Sequence, residues 1–251
     1  MAHLSSLAYA LDWAAMLHRF RREVEAAQER AAAAITLSTE QGFALYGAWG
    51  TIVRGWSLAE QGQGAEGTAQ IHQGLAFSRA SGIQAVLPYH FALLAEAYGK
   101  AGQGEEGLRV LAEALTMVNS TGERNYEAEL YRLKGELMLQ QSSVQSLGSG
   151  VQTKQTAKDK KQKAKITALR SLLPAPHAEA EACFLKAIEI ARRQEAKSLE
   201  LRAVMSLARL WQHQGKCEAA HELLAPIYGW FTEGFDTADL QEAKGLLKAL
   251  L

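Results

Sequence analysis

The chain of 251 residues has two cysteines and four prolines, and its 27 basic residues balance its 27 acidic residues. Two cysteines are too few for the disulfide framework of a small secreted domain. No stretch approaches the roughly 20 apolar residues that a membrane span needs, and the N-terminus lacks the basic start of a signal peptide. A formal net charge of zero excludes a global field that would steer the protein to nucleic acid or an anionic membrane. We therefore expect a cytoplasmic protein without membrane association.

Motifs of catalysis and ligation are also missing. The sequence contains no GxxxxGK[ST] phosphate loop, no HExxH, no paired CxxC and no GxSxG elbow. His213, Cys217 and His221 follow at four-residue steps, but the "QGK" turn between them breaks the common helix face that a zinc site would use. The sequence thus predicts no catalytic residue, no metal site and no cofactor. A helical enzyme without a recognisable motif remains an alternative.

Strand-like runs of Val, Ile and Thr are scarce, whereas long Ala, Leu, Glu and Arg segments carry apolar residues at helical spacing. This pattern predicts an all-α fold. Within it one phrase occurs twice, 40 residues apart: "SLAEQGQGAEGTAQIHQGL" from Ser57 and "AYGKAGQGEEGLRVLAEAL" from Ala97. A fixed interval between similar phrases is the signature of a repeat architecture.

Small residues mark the register of this repeat. Gly55, Ala95 and Gly135 are spaced by 40, and each is followed three places later by a larger apolar side chain. Glycines 67 and 107 come twelve places after the first two. Small residues at such spacings let two antiparallel helices approach closely, and the glycine-rich "EQGQG" and "KAGQG" segments turn the chain between them. Each unit is therefore predicted to be a helical hairpin.

This arrangement of small and large apolar positions resembles the tetratricopeptide repeat, although the period is 40 residues and not 34. Longer helices or longer loops would absorb the difference. The register extends backward to Ala15 and Ala27 and forward to Ala180, Ala208 and Ala220. The resemblance implies a right-handed superhelical solenoid of about five 40-residue hairpins.

A 33-residue insertion interrupts the fourth hairpin. It occupies about residues 142–176, lacks aromatic side chains and carries seven basic residues against Asp159, a charge of +6. Such a composition predicts disorder. The segment is read either as a solvated linker or as a contact for nucleic acid or an acidic partner. The nucleic-acid reading is disfavoured by the lack of aromatic side chains for base stacking.

The last segment, "DTADLQEAKGLLKAL", has N-cap candidates in Asp236 and Thr237 and one apolar stripe. We expect it to form a helix that caps the array, because terminal repeats expose an apolar face. No comparable cap precedes the first hairpin. Residues 1–251 are thus predicted to form one repeat domain, which continues a larger chain if another segment covers that first face.

Several longer strings carry a second resemblance: "RREVEAAQER", "RGWSLAEQGQG", "LLAEAYGKAGQGEEGL", "YEAELYRLKGELML", "AKSLELRAVMSLARLWQHQGK" and "APIYGWFTEGFDTADLQEAKGLL". They resemble the C-terminal repeat region of large bacterial regulators, in which a nucleotide cyclase domain and a signal-transduction (STAND-type) ATPase domain precede the repeats. The resemblance implies a non-catalytic interaction or sensor scaffold that regulates such an effector.

In tetratricopeptide arrays the first helix of each hairpin lines the concave side, so the register also predicts a partner-binding groove. Its residues are Tyr9, Asp12, Arg19, Phe20, Trp49, Trp56, Tyr89, Glu96, Lys100, Glu129, Arg132, Glu136, Arg202, Arg209 and His213. We expect a protein or peptide segment to bind there, with apolar anchors near the aromatic side chains and a carboxylate held by the arginines. Trp49 and Trp56 are equally read as core residues, and the arginines as solvated ones.

Overall fold

The computed structural model describes residues 2–82, 86–148 and 176–251. In these ranges the chain forms eleven helices and no strand. The helices are α1 (Ala2–Phe20), α2 (Val24–Gln41), α3 (Ala44–Glu60), α4 (Gly64–Ala80), α5 (Leu87–Lys100), α6 (Gly104–Thr121), α7 (Glu127–Gly148), α8 (Pro176–Arg193), α9 (Lys197–His213), α10 (Cys217–Gly229) and α11 (Ala238–Ala249). They make five hairpins, α1/α2 to α9/α10, and one terminal helix, as the sequence predicts.

The 40-residue period consists of two helices of 17 to 19 residues and two short turns in the first two hairpins. Residues in the left-handed backbone region recur every 20 positions, at 22, 42, 62, 82, 102 and 122. Longer helices, and not longer loops, therefore absorb the difference from a 34-residue repeat. Most of these positions are glycine, but Arg22 holds a φ of 61° at the turn where the sequence offers no glycine.

Small residues permit the close crossing of α3 and α4. A Cβ added to Gly55 would lie 2.6 Å from the carbonyl oxygen of Gly67 and 2.8 Å from Ile71. A Cβ on Gly67 would meet the carbonyl oxygen of Gly55 at 2.4 Å. The backbones are thus as close as two helices can pack, which is the role that the repeat register predicts for these positions.

The fourth hairpin pairs α7 with α8 on the two sides of the insertion. Gly135 of α7 lies against the ring of Phe184 in α8, so the hairpin closes where the register predicts it. Helix α7 runs to Gly148, however, and residues 142–148 are helical where the sequence suggested disorder from Ser142 onward. The rest of the insertion, residues 149–175, lies outside the described residues.

Helix α11 covers the end of the array. Leu240, Ala243, Leu246 and Leu250 are buried in one apolar cluster with α8, α9 and α10. The helix begins after Thr237, whose hydroxyl donates to the carbonyl of Gly234 and accepts no hydrogen bond from the helix N-terminus. A second cluster contains the first three hairpins and one face of α7.

The close crossing predicts a contrast between two glycine substitutions. Gly55→Ala should lower the free energy of unfolding by about 1–3 kcal/mol, because the added methyl group forces α3 and α4 apart. Gly245→Ala, on the exposed face of α11 with nothing within 4 Å, should raise it by about 0.5–1 kcal/mol through helix propensity. Urea unfolding followed by circular dichroism measures both. Equal effects would contradict the close crossing.

Candidate functional site

The first helices of the hairpins line the inside of the solenoid. Two large cavities lie there, and apart from Val24 their walls come from α1, α3, α5, α7, α9, α11 and the turns beside these helices. The second helices of the hairpins face outward. The structure therefore has the inner and outer layers that the tetratricopeptide resemblance implies.

A line of alternating charges crosses the inside of the solenoid. We call it the inner charge ring; its members in order are Arg19, Glu96, Arg132, Glu129, Arg202, Asp239 and Arg22. The shortest nitrogen–oxygen distances between successive members are 2.7, 3.9, 2.6, 3.8, 2.6 and 3.3 Å. Because Arg19 and Arg22 both stand at the end of α1, the line starts and ends at the same place.

Arg19 is the most enclosed arginine of the ring, with 2% of the residue exposed. Its guanidinium donates to Glu96 at 2.7 Å and to the hydroxyl of Tyr126. The guanidinium carbon lies 5.5–5.7 Å from the ring centroids of four aromatic side chains, those of Phe20, Trp56, Tyr89 and Tyr126. Trp56 also donates to the same Glu96 oxygen at 2.8 Å. One cation from α1 thus binds α3, α5 and α7 together.

Glu129 is the buried anion of the ring. Arg132 donates two hydrogen bonds to its carboxylate, at 2.8 and 2.6 Å, and Arg202 lies 3.8 Å away. Burial alone would raise the pKa of Glu129, but the charge and hydrogen bonds of Arg132, together with Arg202, lower that pKa to about 2. The carboxylate therefore stays ionised in the folded protein at neutral pH.

Ion pairs and one backbone contact join the two ends of the chain. Arg202 donates to the carbonyl oxygen of Phe20 at 2.5 Å and to Asp239 at 2.6 Å. Arg22 reaches Asp239 and also Glu242, the latter at 2.7 Å. Residues more than 180 positions apart in sequence are thereby held together, so side-chain contacts close the solenoid.

The larger cavity, of about 620 Å³, lies on one side of the inner charge ring and is polar. Its rim carries two half-exposed ion pairs, Lys100 with Glu60 at 2.9 Å and Arg209 with Glu242 at 2.9 Å. Glu136 accepts from Ser206 at 2.8 Å and pairs with Arg132 at 2.6 Å. Every charge in this cavity already has a partner of opposite sign.

The second cavity, of about 570 Å³, lies on the other side of the ring and is mainly apolar. Aromatic side chains of α1, α5, the turn before α7 and the loop after α10 form much of its wall, among them Trp13, Phe20, Tyr126 and Phe231. A small cavity of about 20 Å³ adjoins it between α1, α3 and the start of α5. We call this small cavity the Asp12 alcove, after the acidic residue in its wall.

The structure brings together twelve of the fifteen predicted groove residues. Around the polar cavity lie Arg19, Trp56, Glu96, Lys100, Arg132, Glu136, Arg202 and Arg209. Phe20 and Tyr89 line the apolar cavity, and Asp12, Trp49 and Tyr89 line the alcove. Glu129 is buried within the ring, whereas Tyr9 and His213 are exposed and line none of the three cavities. That these residues bind a partner stays a prediction.

Burial divides the predicted anchors. Trp56 and Tyr89 are core residues, since 3% and 6% of each is exposed, and Trp49 is half-buried against His90. Arg132 is held by Glu129 and Glu136, so it is a structural cation and not a solvated one. Arg209 is different, because 42% of its side chain is exposed. Of these side chains, only Arg209 is available to a partner without disturbing the inner charge ring.

Sequence reasoning missed the partners that α11 and the first turn contribute. The sequence predicts only a capping helix for the segment with Asp239 and Glu242, and no role for Arg22. In the structure these three residues complete the inner charge ring and the rim of the polar cavity. The repeat register does not predict these ion pairs, because the contact between Arg22 and the terminal helix depends on how far the solenoid curves. An acidic first turn on the terminal helix was the one available hint.

Neither a metal cluster nor a membrane-spanning helix is found in the described part of the chain. No group of three His, Cys, Asp or Glu side chains there could hold a metal ion. None of its helices combines the length and the apolar character that a membrane crossing demands.

Comparisons with known proteins agree with the fold. No family model matches the chain. An uncharacterized protein of Rhizobium meliloti (strain 1021) is 28% identical over 137 residues, which are 55% of this chain and 13% of that much longer protein. Two crystal structures of a putative kinesin light chain of Podosopora anserina with nearly identical TPR-like repeats have TM-scores of 0.53 and 0.52. They are 16% identical and match 91% of this chain and 96% of theirs. The chain thus has a TPR-like helical-repeat fold.

The depressed pKa of Glu129 predicts how stability depends on pH. The carboxylate is ionised in the folded state down to a pH of about 2, against 4.5 for an ordinary glutamate. Its stabilising contribution is therefore complete above about pH 4.5 and is lost as the pH falls toward 2. Glu129→Gln should cost on the order of 3 kcal/mol at pH 7 and should flatten this part of the stability profile.

Glu113→Gln is the matched control, because Glu113 pairs with Arg79 at the surface with half of its side chain exposed. It should change the free energy of unfolding by less than about 1 kcal/mol. Urea unfolding between pH 2 and pH 8 compares the variants with the wild type. An acid profile of Glu129→Gln that parallels the wild type would contradict the buried ion pair.

Proposed function

We propose that this chain is a non-catalytic interaction scaffold that binds a protein segment at the polar cavity. The observation that carries the proposal is the origin of the cavity wall: each of the five hairpins and the terminal helix contributes charged or polar side chains to one concavity. A TPR-like fold supplies this inner surface, but the chemistry of the binding is argued from the side chains alone.

At the rim of the cavity, a carboxylate of the partner can replace a carboxylate of the protein in an ion pair with little loss of free energy. Lys100 and Arg209 have 54% and 42% of their side chains exposed, and each holds a single carboxylate. Exposed ion pairs contribute roughly 0–1 kcal/mol, so a partner carboxylate can replace the internal one with little loss. Arg19, Arg132 and Arg202 lie deeper and stay with their own partners. The partner segment should therefore carry carboxylates spaced to reach both rim cations.

The closed solenoid limits how such a segment lies. The inner charge ring separates the polar cavity from the apolar one, so an extended peptide cannot pass through the superhelix. We propose that the segment enters from the polar side only, over the C-terminal halves of α5 and α9. The Trp56 side chain donates to Glu96 of the inner charge ring, so its role is to hold the ring in place and not to serve as an exposed anchor for the partner.

The regulatory context is a further part of the proposal. The resemblance to bacterial regulators suggests that the bound segment belongs to an attached or associated effector in the cytosol, such as a cyclase or signal-transduction ATPase domain. The much greater length of the Rhizobium meliloti protein is compatible with repeats that belong to a larger chain. The effector would be regulated by occupancy of the rim.

The test is a binding measurement on a peptide array of acidic, mixed-charge, basic and uncharged sequences, followed by fluorescence anisotropy of the best binders. Acidic and mixed-charge peptides should bind, and the affinity should fall as salt increases. The double variant Lys100→Ala/Arg209→Ala should weaken binding about tenfold or more. Its melting temperature should stay near that of the wild type, because both ion pairs are exposed.

The control removes two similar cations from the outer helices. Lys186 in α8 and Arg109 in α6 form exposed ion pairs with Glu189 and Glu106, 42% and 69% of the cation side chains being exposed. Lys186→Ala/Arg109→Ala should leave peptide affinity unchanged. If this outer variant loses binding while the rim variant keeps it, the partner docks on the convex side and the proposal is wrong.

A further inference from the structure

The Asp12 alcove contains a buried carboxyl group without a partner. Asp12 is 5% exposed, and neither of its carboxylate oxygens has a hydrogen-bond partner among the described residues. A Cβ on Gly50 would lie 3.3 Å from one of these oxygens, so the carboxyl group rests against the bare backbone of α3. Buried polar side chains are nearly always hydrogen-bonded, and each exception calls for an explanation.

The repeat register shows that the carboxyl group is not needed for packing. Asp12 occupies the position that Ile52 holds in α3 and Ala92 holds in α5, and both of these are fully buried apolar residues. An aliphatic side chain would fill the same place without the cost of desolvating a carboxyl group. The acidic residue thus weakens the hairpin that contains it, which is typical of a residue kept for binding.

The walls of the alcove suit a cation. The side chains of Trp13, Trp49 and Tyr89 line it, together with His90, whose Nδ1 is also buried without a partner. Aromatic faces attract cations, and the attraction grows when water is excluded. Burial lowers the pKa of His90 to about 3, so this ring is neutral and does not repel a positive charge. The volume of about 20 Å³ is suitable for one group of the size of an ammonium.

The adjoining apolar cavity supplies space for the rest of a ligand. It shares Trp13, Met16, Val86 and Tyr89 with the alcove, and its volume of about 570 Å³ lies within the range of small-molecule sites. Glu123 and Glu233 stand in its wall, and neither forms an ion pair in the described part of the chain. Its two arginines, Arg21 and Arg202, are both paired with carboxylates of the protein. The approach to the alcove is therefore acidic.

We propose that this cavity and the Asp12 alcove bind a small primary amine with an apolar tail. The ammonium group occupies the alcove and is held by the carboxylate of Asp12 and the aromatic side chains around it. The aliphatic or aromatic tail lies in the apolar cavity between α1, the turn before α7 and α9. The site is on the opposite side of the inner charge ring from the polar cavity, so it does not depend on the proposed protein-binding function.

The test compares three probes of similar shape by calorimetry: 2-phenylethylamine, the neutral 2-phenylethanol and the anionic 3-phenylpropanoate. The amine should bind at least about tenfold more tightly than the alcohol, and the acid should bind least. Asp12→Asn, which keeps the shape of the side chain, should weaken binding of the amine at least about tenfold and leave the alcohol unchanged. Asp236→Asn, an exposed carboxylate outside all three cavities, is the matched control and should change neither affinity.

Proton release gives a second readout that a merely structural role of Asp12 would not produce. Burial raises the pKa of Asp12 to about 8, and the other titratable side chains of the alcove, Tyr89 and His90, are neutral at pH 7. Placing an ammonium beside an ionised Asp12 at pH 7 should therefore release close to one proton, measured as the buffer dependence of the binding enthalpy. In Asp12→Asn this release should disappear.

Each remaining outcome overturns the proposal. Equal affinity of the wild type for the amine and the alcohol would show an apolar site without a cation subsite. If none of the three probes binds, and Asp12→Leu is folded and more stable than the wild type, the alcove holds nothing but a bridging water. Tight binding of a lysine-containing peptide but not of 2-phenylethylamine would assign the alcove to a protein side chain.

Discussion

The buried guanidinium of Arg19 is the contact on which the curvature of the solenoid depends. Taking this cation out of water costs several kcal/mol, and the cost is offset only if all of its partners are in place. Those partners come from three other helices: Trp56 from α3, Glu96 from α5 and Tyr126 from the turn before α7. A straighter stack of hairpins would separate them and leave the charge exposed to apolar neighbours. The first helix is therefore bound to the second, third and fourth hairpins at once.

The other buried charges of the inner charge ring depend on their partners in the same way. Arg132 and Arg202 each lie between carboxylates of different helices, so their ion pairs cannot open without leaving a buried charge without its partner. Arg202 is the decisive link, because it joins α9 to the end of α1 and to Asp239 of the terminal helix. Buried ion pairs contribute less to net stability than well-packed apolar residues would, but they penalise wrong arrangements heavily. We infer that the ring selects one curvature among the many that stacked hairpins could adopt.

Closure divides the concave side into two chemically different halves. On one side of the ring the charges are balanced and the rim pairs are exposed, which suits exchange with a charged protein segment. On the other side the wall is aromatic and aliphatic, and the unpaired carboxyl group of Asp12 lies in the adjoining alcove. The two ligands that we propose, a protein segment and a small amine, would therefore occupy opposite sides of the ring. Any coupling between them would pass through Arg202 and Asp239, which line both large cavities.

The sequence by itself determined the local structure. The 40-residue spacing of Gly55, Ala95 and Gly135 indicates the helical hairpins and their close crossings, because a small side chain at a crossing is a local requirement of helix packing. The same register found twelve of the residues that line the inner cavities, since the face of a helix follows from its period. It did not show that α7 continues to Gly148.

Only the tertiary structure decided which of these residues are accessible and what they contact. The register assigns both Arg132 and Arg209 to the groove face, yet one is buried against Glu129 and the other is half-exposed at the rim. Arg22, Asp239 and Glu242 had no predicted role, because their contacts join residues more than 200 positions apart. The curvature that brings them together is a sum of small rotations over eleven helices. No local sequence pattern predicts this overall curvature. The buried charges fix the curvature only once the whole chain has folded.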